Sequence, residues 1–172
     1  MQLRSLSAVR TITLPTPYPL QVDILNHPAR YKIVATGRRV GKTTLGKLYT
    51  SETVLAYPSV TCWWVAPTNQ ATNLAWNGFK MIFGGVSEIS ETYKWLKLPN
   101  GSMIWCKSAE LPDNLRGEGV DLLVIDEAAH VRKLDYVWSG VLRPMLIDSG
   151  GSMLALSSPN RRNLFYRWYQ RG

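Results

Sequence analysis

Cysteine is nearly missing from these 172 residues: only Cys62 and Cys106 are present, too few for the disulfide framework of a small secreted domain. Both lie in apolar stretches, CWWVAP and MIWCKS, and read as buried structural thiols with neither a disulfide nor a metal to hold. No apolar run approaches the roughly 20 residues a membrane span needs. The opening stretch, MQLRSLSAVRTITLPTPYP, lacks the continuous apolar segment and small-residue cleavage site of a secretory signal. A membrane protein is therefore not expected, and nothing directs the chain out of the cytoplasm. Acidic residues are in deficit: 12 Asp and Glu against 20 Lys and Arg leave a formal charge of +8. That balance favours an anionic partner such as nucleic acid without locating a site for it. Repeats, low-complexity tracts and linkers are also lacking, and the length corresponds to one domain with enough chain for a real core.

What is present is an alternation of strand and helix signals. The first twenty or so residues, with Pro15, Pro17 and Pro19 in alternation, predict an extended arm. YKIVAT (31–36) then predicts a short buried strand. KTTLGKLYTSETVLA (42–56) carries apolar residues at helical spacing and ends before Pro58. VTCWWVAP (60–67) reads as a second strand, and NQATNLAWNGFKMIF (69–83) as a helix that stops at Gly84 and Gly85. TYKWLKLPNGSMIWCKS (92–108) alternates apolar and polar residues around Pro99, Asn100 and Gly101, the pattern of a β-hairpin whose Asn-Gly supplies the positive φ of a tight turn. VDLLVIDEAAH (120–130) is a third buried strand. A helix over about 135–146 follows, with Pro144 expected to kink or end it, and GGSMLALSSPN (150–160) is a fourth core strand. Strands separated by helices predict an α/β domain with a mainly parallel sheet. In the tail, PNRRNLFYRWYQRG, four arginines are interleaved with Phe165, Tyr166, Trp168 and Tyr169. Such aromatics either stack on bases or pack a tail helix onto the domain, the second being the simpler expectation.

ATGRRVGKTTLG (35–46) joins the first strand to the first long helix, the context a Walker A phosphate loop requires. Gly37, Arg38, Arg39, Val40, Gly41, Lys42, Thr43 and Thr44 form it. Glycine lets the backbone turn its N–H groups toward phosphate oxygens, and the helix N-terminus adds a favourable dipole. Lys42 reaches the β and γ phosphates, and the Thr43 hydroxyl coordinates Mg²⁺. One position departs from the pattern: Thr36 stands where the first glycine should be. A chance GKT before a helix is the alternative. LLVIDE (122–127) is an apolar strand ending in two carboxylates, the Walker B form: Asp126 would hold Mg²⁺, and Glu127 would polarise the attacking water as general base. For an isolated Asp-Glu pair an acidic helix cap is the alternative. Together the two motifs point to ATP and Mg²⁺, and the acid beside the metal ligand favours hydrolysis over phosphoryl transfer to a metabolite.

PLQVDIL, GRRVGKTT, LRGEGVDLLVIDEAAH and ALSSPNRRNLFYRWYQRG, taken together, resemble the ATPase domain of the viral DNA-packaging terminase large subunit, with similarity from about Pro17 onward. The resemblance implies a P-loop NTPase of the additional-strand type. It implies that Gln21 contacts the adenine, where an exposed glutamine starting a helix is the alternative. It also implies that Ser157 and Ser158, on the strand beside the P-loop strand, form a coupling motif sensing the γ-phosphate; otherwise they cap a turn. Arg39 is similar to the Walker A arginine of terminases, acting in cis, and Arg116 resembles the residue that reaches a neighbour's site in ring-forming members. The alternative for Arg116 is a salt bridge or a solvated side chain. Arg38 is expected to be solvated, or to contact DNA or a subunit. The partners implied are double-stranded DNA, the portal protein and the small terminase subunit, with a homo-oligomeric ring when assembled and a monomer in isolation. The place implied is the cytoplasm of the infected host cell, docked on the procapsid portal. The nuclease domain with which the family normally continues is not expected in this chain, and no nuclease activity is expected of it. Two other classes stay open: another P-loop DNA translocase of helicase-like kind, and a nucleotide-dependent docking module with little turnover.

Overall fold

The computed structural model describes residues 11–171 except 116 and 118. The expectation for Arg116 and the first half of the expected arm therefore lie outside the described residues. Seven strands form one sheet: β1 (Tyr31–Ala35), β2 (Thr61–Ala66), β3 (Glu88–Ser90), β4 (Trp95–Lys97), β5 (Met103–Ser108), β6 (Leu122–Ile125) and β7 (Ser152–Ser157). Their order in space is β1-β7-β6-β2-β5-β4-β3. The strands from β1 through β5 are parallel neighbours, and β4 and β3 continue the sheet antiparallel. The expected α/β domain with a mainly parallel sheet is thus present, and β7 stands between β1 and β6 as an additional strand.

Both faces of β2, β6 and β7 are buried, which is why they read as continuous apolar runs without a polar alternation. One face presents Trp64, Val124, Leu154 and Leu156 to α2 (Lys42–Ala56) and α3 (Asn69–Phe83). The opposite face presents Trp63, Val65, Leu123 and Ile125 to α4 (Leu134–Val137), α5 (Arg143–Ser149) and α6 (Leu164–Arg171). Helix α2 lies close against the sheet because of Gly46. A Cβ there would stand 2.8 Å from Leu156 Cδ1 and 2.9 Å from Trp64 Cζ3. That close approach sets the helix N-terminus over the strand ends, where the site lies.

The helices 42–56 and 69–83 form over the expected residues. Helix α3 is capped by the Thr68 hydroxyl, which accepts from the Ala71 N–H, and by Gly84 at its end. The arm ends sooner than expected: Pro19 opens α1 (Pro19–Asn26), because its fixed φ and missing N–H suit the first helical turn. Pro144 does not end its helix. Between α4 and α5 the chain widens into one π-helical turn, Trp138–Leu142, which accommodates a ring that cannot donate, and the helix runs on to Ser149 before Gly150 (φ 71°) stops it. At the tip of the hairpin Gly101 takes positive φ, at 86°, and Asn100 does not. Asn100 acts instead through its side chain, donating to the Val54 carbonyl and accepting from the Ser102 N–H. Strand β3 had no counterpart in the sequence reading. The tail helix α6 packs as expected: Phe165 is buried and Trp168 meets Trp138 edge-on, with ring centroids 5.1 Å apart.

Candidate nucleotide site

In an open α/β sheet, ligands bind beyond the carboxyl ends of the strands. Here the ends of β1, β6 and β7 converge. The loop after β1 turns through two left-handed residues, Arg39 (φ 65°) and Gly41 (φ 70°). Thr36, the departure from the usual loop, continues the β1–β7 ladder, its N–H donating to the Ser157 carbonyl at 3.2 Å. Lys42 is buried although it carries a charge. Its Nζ donates to the Gly37 carbonyl at 2.7 Å and lies 3.5 Å from that of Thr36, so the ammonium is held within the concavity of the loop.

Gln21 is 3% exposed, unlike the freely exposed residue of the alternative reading. Its Nε2 donates to the Gly41 carbonyl at 3.1 Å and its Oε1 accepts from the Tyr18 N–H at 3.2 Å. The Tyr18 hydroxyl donates to the Val40 carbonyl at 2.6 Å. Helix α1 is thereby strapped to the back of the phosphate loop.

The two motifs meet directly. Thr43 Oγ1 donates to Asp126 Oδ2 at 3.2 Å. Burial, then the neighbouring charge of Glu127, pushes the Asp126 carboxyl up to about 6, against the opposing pull of the Thr43 hydroxyl, the Glu127 N–H and Lys42. Glu127 holds left-handed backbone (φ 48°, ψ 44°), a conformation that costs a non-glycine residue on the order of 1 kcal/mol or more and persists only when its surroundings enforce it. Its Oε2 accepts from the hydroxyls of Ser157 at 3.2 Å and Ser158 at 3.5 Å, and His130 Nδ1 lies 3.3 Å from the same oxygen. Arg38, Arg39, Gly41, Lys42, Thr43, Thr44 and Glu127 line one open cavity of about 330 Å³.

The described residues singled out in the sequence are therefore brought to one place, with Gln21 behind the loop. Sequence reasoning missed Tyr18, His130 and Asn163. The signals available were faint: an aromatic just ahead of the helix-opening proline, the last letter of DEAAH, and an asparagine ahead of an amphipathic tail.

A strand–loop–helix cradle with Lys42 and Thr43, two acids closing β6, and a strand inserted between them define a P-loop NTPase of the additional-strand type. The chain belongs to the terminase large subunit family: residues 33–171 match the family described as terminase large subunit, T4likevirus-type, N-terminal. It is 28% identical to the terminase large subunit of Thermus phage G20c, over 91% of this chain and 36% of that protein. The chain thus spans little more than a third of that relative's length. Among solved structures it resembles the large terminase ATPase domain of Thermus phage P74-26, with TM-score 0.83 and 24% identity over 91% of this chain and 70% of that one. It also resembles the large terminase of a thermophilic bacteriophage in complex with ATP-gamma-S, with TM-score 0.62 and 13% identity over 81% of this chain and 37% of that one.

Proposed function

We propose that this chain is the ATP-hydrolysing motor domain of a terminase large subunit, which drives double-stranded DNA into a procapsid. One observation carries the reading: Lys42, the Thr43–Asp126 pair at 3.2 Å and Glu127 stand together at the ends of three adjacent strands. A nucleotide analogue bound to a large terminase of the same fold supports ATP as the ligand.

The loop N–H groups and the N-terminus of α2 face the phosphates, and Lys42 exchanges its two carbonyl partners for phosphate oxygens. Thr43 and Asp126 would hold Mg²⁺. Two hard oxygen donors already in contact suit an ion that keeps most of its shell for water and phosphate, and the ion supplies positive charge to the phosphate oxygens. Glu127 takes a proton from the attacking water as general base. Ser157 and Ser158 hold its carboxylate, so the state of the site is felt at the end of β7. Gln21 keeps one amide hydrogen and one lone pair beyond its two bonds, enough to read the adenine edge. Arg39, at the cavity mouth, neutralises charge in cis. Arg116 would do so from a neighbouring subunit in a ring, and Arg38 is left to solvent or DNA.

We assign residues 1–172 to one ATPase domain and no nuclease chemistry to it. The charge of +8 suits a DNA partner; portal protein, small terminase subunit, ring assembly and docking on the procapsid in the host cytoplasm belong to the same proposal. Steady-state ATP hydrolysis per chain across a wide protein concentration series tests it, with Glu127→Gln and Arg116→Ala beside the wild type. Turnover that rises with concentration and is lost in both variants supports a ring with an arginine donated in trans. Turnover independent of concentration and of Arg116 moves that role to Arg39, and nucleotide binding without turnover in any condition overturns the motor reading.

A further inference from the structure

The left-handed backbone of Glu127 has to be held in place, and the structure shows what holds it. Glu127 is followed by a single 3₁₀ turn, Ala128–His130, whose middle residue, Ala129, is 5% exposed. Both peptide groups of Ala129 are engaged from outside the turn. Its N–H donates to Ser157 Oγ at 3.1 Å, and its carbonyl accepts from Asn163 Nδ2 at 2.8 Å. Ser157 belongs to the expected coupling pair, whereas Asn163 was given no role in the sequence. The Asn163 side chain does two things at once: Oδ1 accepts from the Tyr166 N–H at 3.2 Å, within the first turn of α6, while Nδ2 holds Ala129. These partners settle the orientation of the amide, since a backbone N–H can only donate and a carbonyl can only accept.

We infer that Asn163 is a positioning residue for Glu127, acting through the Ala129 carbonyl, and that it joins the hydrolytic turn to helix α6. The inference rests on the reading of Glu127 as general base. The turn has only four residues from Glu127 to His130, closed by His130 N–H to the Glu127 carbonyl at 2.8 Å. Releasing the carbonyl of Ala129 frees the peptide plane two residues from the Glu127 side chain. A general base must sit within hydrogen-bond reach of its water, and a displacement of about 1 Å costs on the order of 10²-fold in rate. The contact also gives α6 a direct connection to the site. The same helix is tied to α4 by an Arg167–Asp135 ion pair.

The decisive variant is Asn163→Asp, which keeps the acceptor that caps α6 and loses the donor to Ala129. Asn163→Ala loses both. In the full chain, Asn163→Asp is expected to lower kcat about tenfold or more, with KM for ATP and the thermal midpoint close to wild type. Combined with Glu127→Gln, it should lower kcat no further than Glu127→Gln alone, because residues acting through one group are not additive. Hydrogen exchange at the amides of residues 128–131 gives a readout independent of turnover, and it should accelerate in Asn163→Asp. If Glu127→Gln abolishes turnover while Asn163→Asp leaves kcat and these amides unchanged, Asn163 is no more than a helix cap and the inference is wrong. A loss of kcat matched by an equal loss of thermal midpoint overturns it as well. Wild-type turnover left intact by Glu127→Gln brings down the general-base reading itself.

Discussion

Two carboxylates show how differently the two halves of this sheet are built. Glu91, beside the antiparallel wing of β3 and β4, is exposed, and its carboxylate is held below the usual range by hydrogen bonds from Lys80, at 2.8 Å, and Trp76. Asp126, at the end of β6, is buried and pushed up to about 6. The first has a cation of its own within the fold and the whole solvent besides. The second shares a confined space with another acid, with a hydroxyl and a distant lysine in partial compensation. Glu91 has its cation within the fold; the parallel half keeps two neighbouring acids whose repulsion a bound cation would relieve. Buried carboxyls displaced in this way are found where function needs them, and Asp126 stands at a strand end of the parallel half.

The largest effect that would break this contrast lies at Glu127. Glu127→Gln is expected to lower kcat for ATP by about 10²- to 10⁴-fold, the range for loss of a general base, with nucleotide affinity retained, as judged by titration with a fluorescent ATP analogue. Next comes Gly46→Ala. The added methyl would meet Leu156 and Trp64 at under 3 Å, and overpacking of this kind costs about 1 to 3 kcal/mol, more than the roughly 1 kcal/mol of helix propensity gained. A lower midpoint in urea unfolding is the expected outcome, and a rise would show that the packing of α2 on the sheet is looser than drawn.

Asp126→Asn sharpens the comparison from the other side. Burial raises the folded-state pKa from the ordinary 3.8 to about 6, so protonation favours the folded chain, and that contribution, complete below pH 3.8, is lost as pH rises through 6. Without Mg²⁺ at pH 8, Asp126→Asn should therefore be more stable than wild type by about 1 to 3 kcal/mol, with the gain vanishing toward pH 4, as followed by urea unfolding across pH. Loss of Mg²⁺-dependent turnover should accompany it. The smallest effect belongs to the wing: Glu91→Gln should leave turnover and nucleotide affinity at wild-type values. A fall in kcat there would mean that the wing is not independent of the site.

The sheet and the two long helices were legible because their signals are local. Apolar spacing and the stops at Pro58 and Gly84 lie within or beside the segments they delimit. The phosphate loop and the acid pair were legible because their chemistry requires contiguous residues. Strand β3 was not, since three residues, Glu88–Ser90, are too few to display a period. The course of the chain through Pro144 depends on a widened turn that residue type does not announce. Gln21 and Asn163 owe their positions to tertiary contacts, with Gly41 and Ala129, at separations of 20 and 34 residues. The family resemblance singled out Gln21, with a role toward adenine and not this contact; it gave Asn163 no role.

Strands β1 and β6 never touch: each is bonded to β7. Two strand spacings put them about 10 Å apart, and the Thr43–Asp126 hydrogen bond, from the first turn of α2, spans that distance at its open end. Within the sheet, phosphate cradle and acids are therefore joined through one spacer strand. Sliding or twisting β7 by a fraction of an ångström would change the gauge between phosphate cradle and acids, and a nucleotide seated across the gap would stiffen it as a crossbar stiffens a fork. Among the described residues β1 has no strand neighbour on its other side, so within the sheet any tension that crossbar created would reach the other strands through β7.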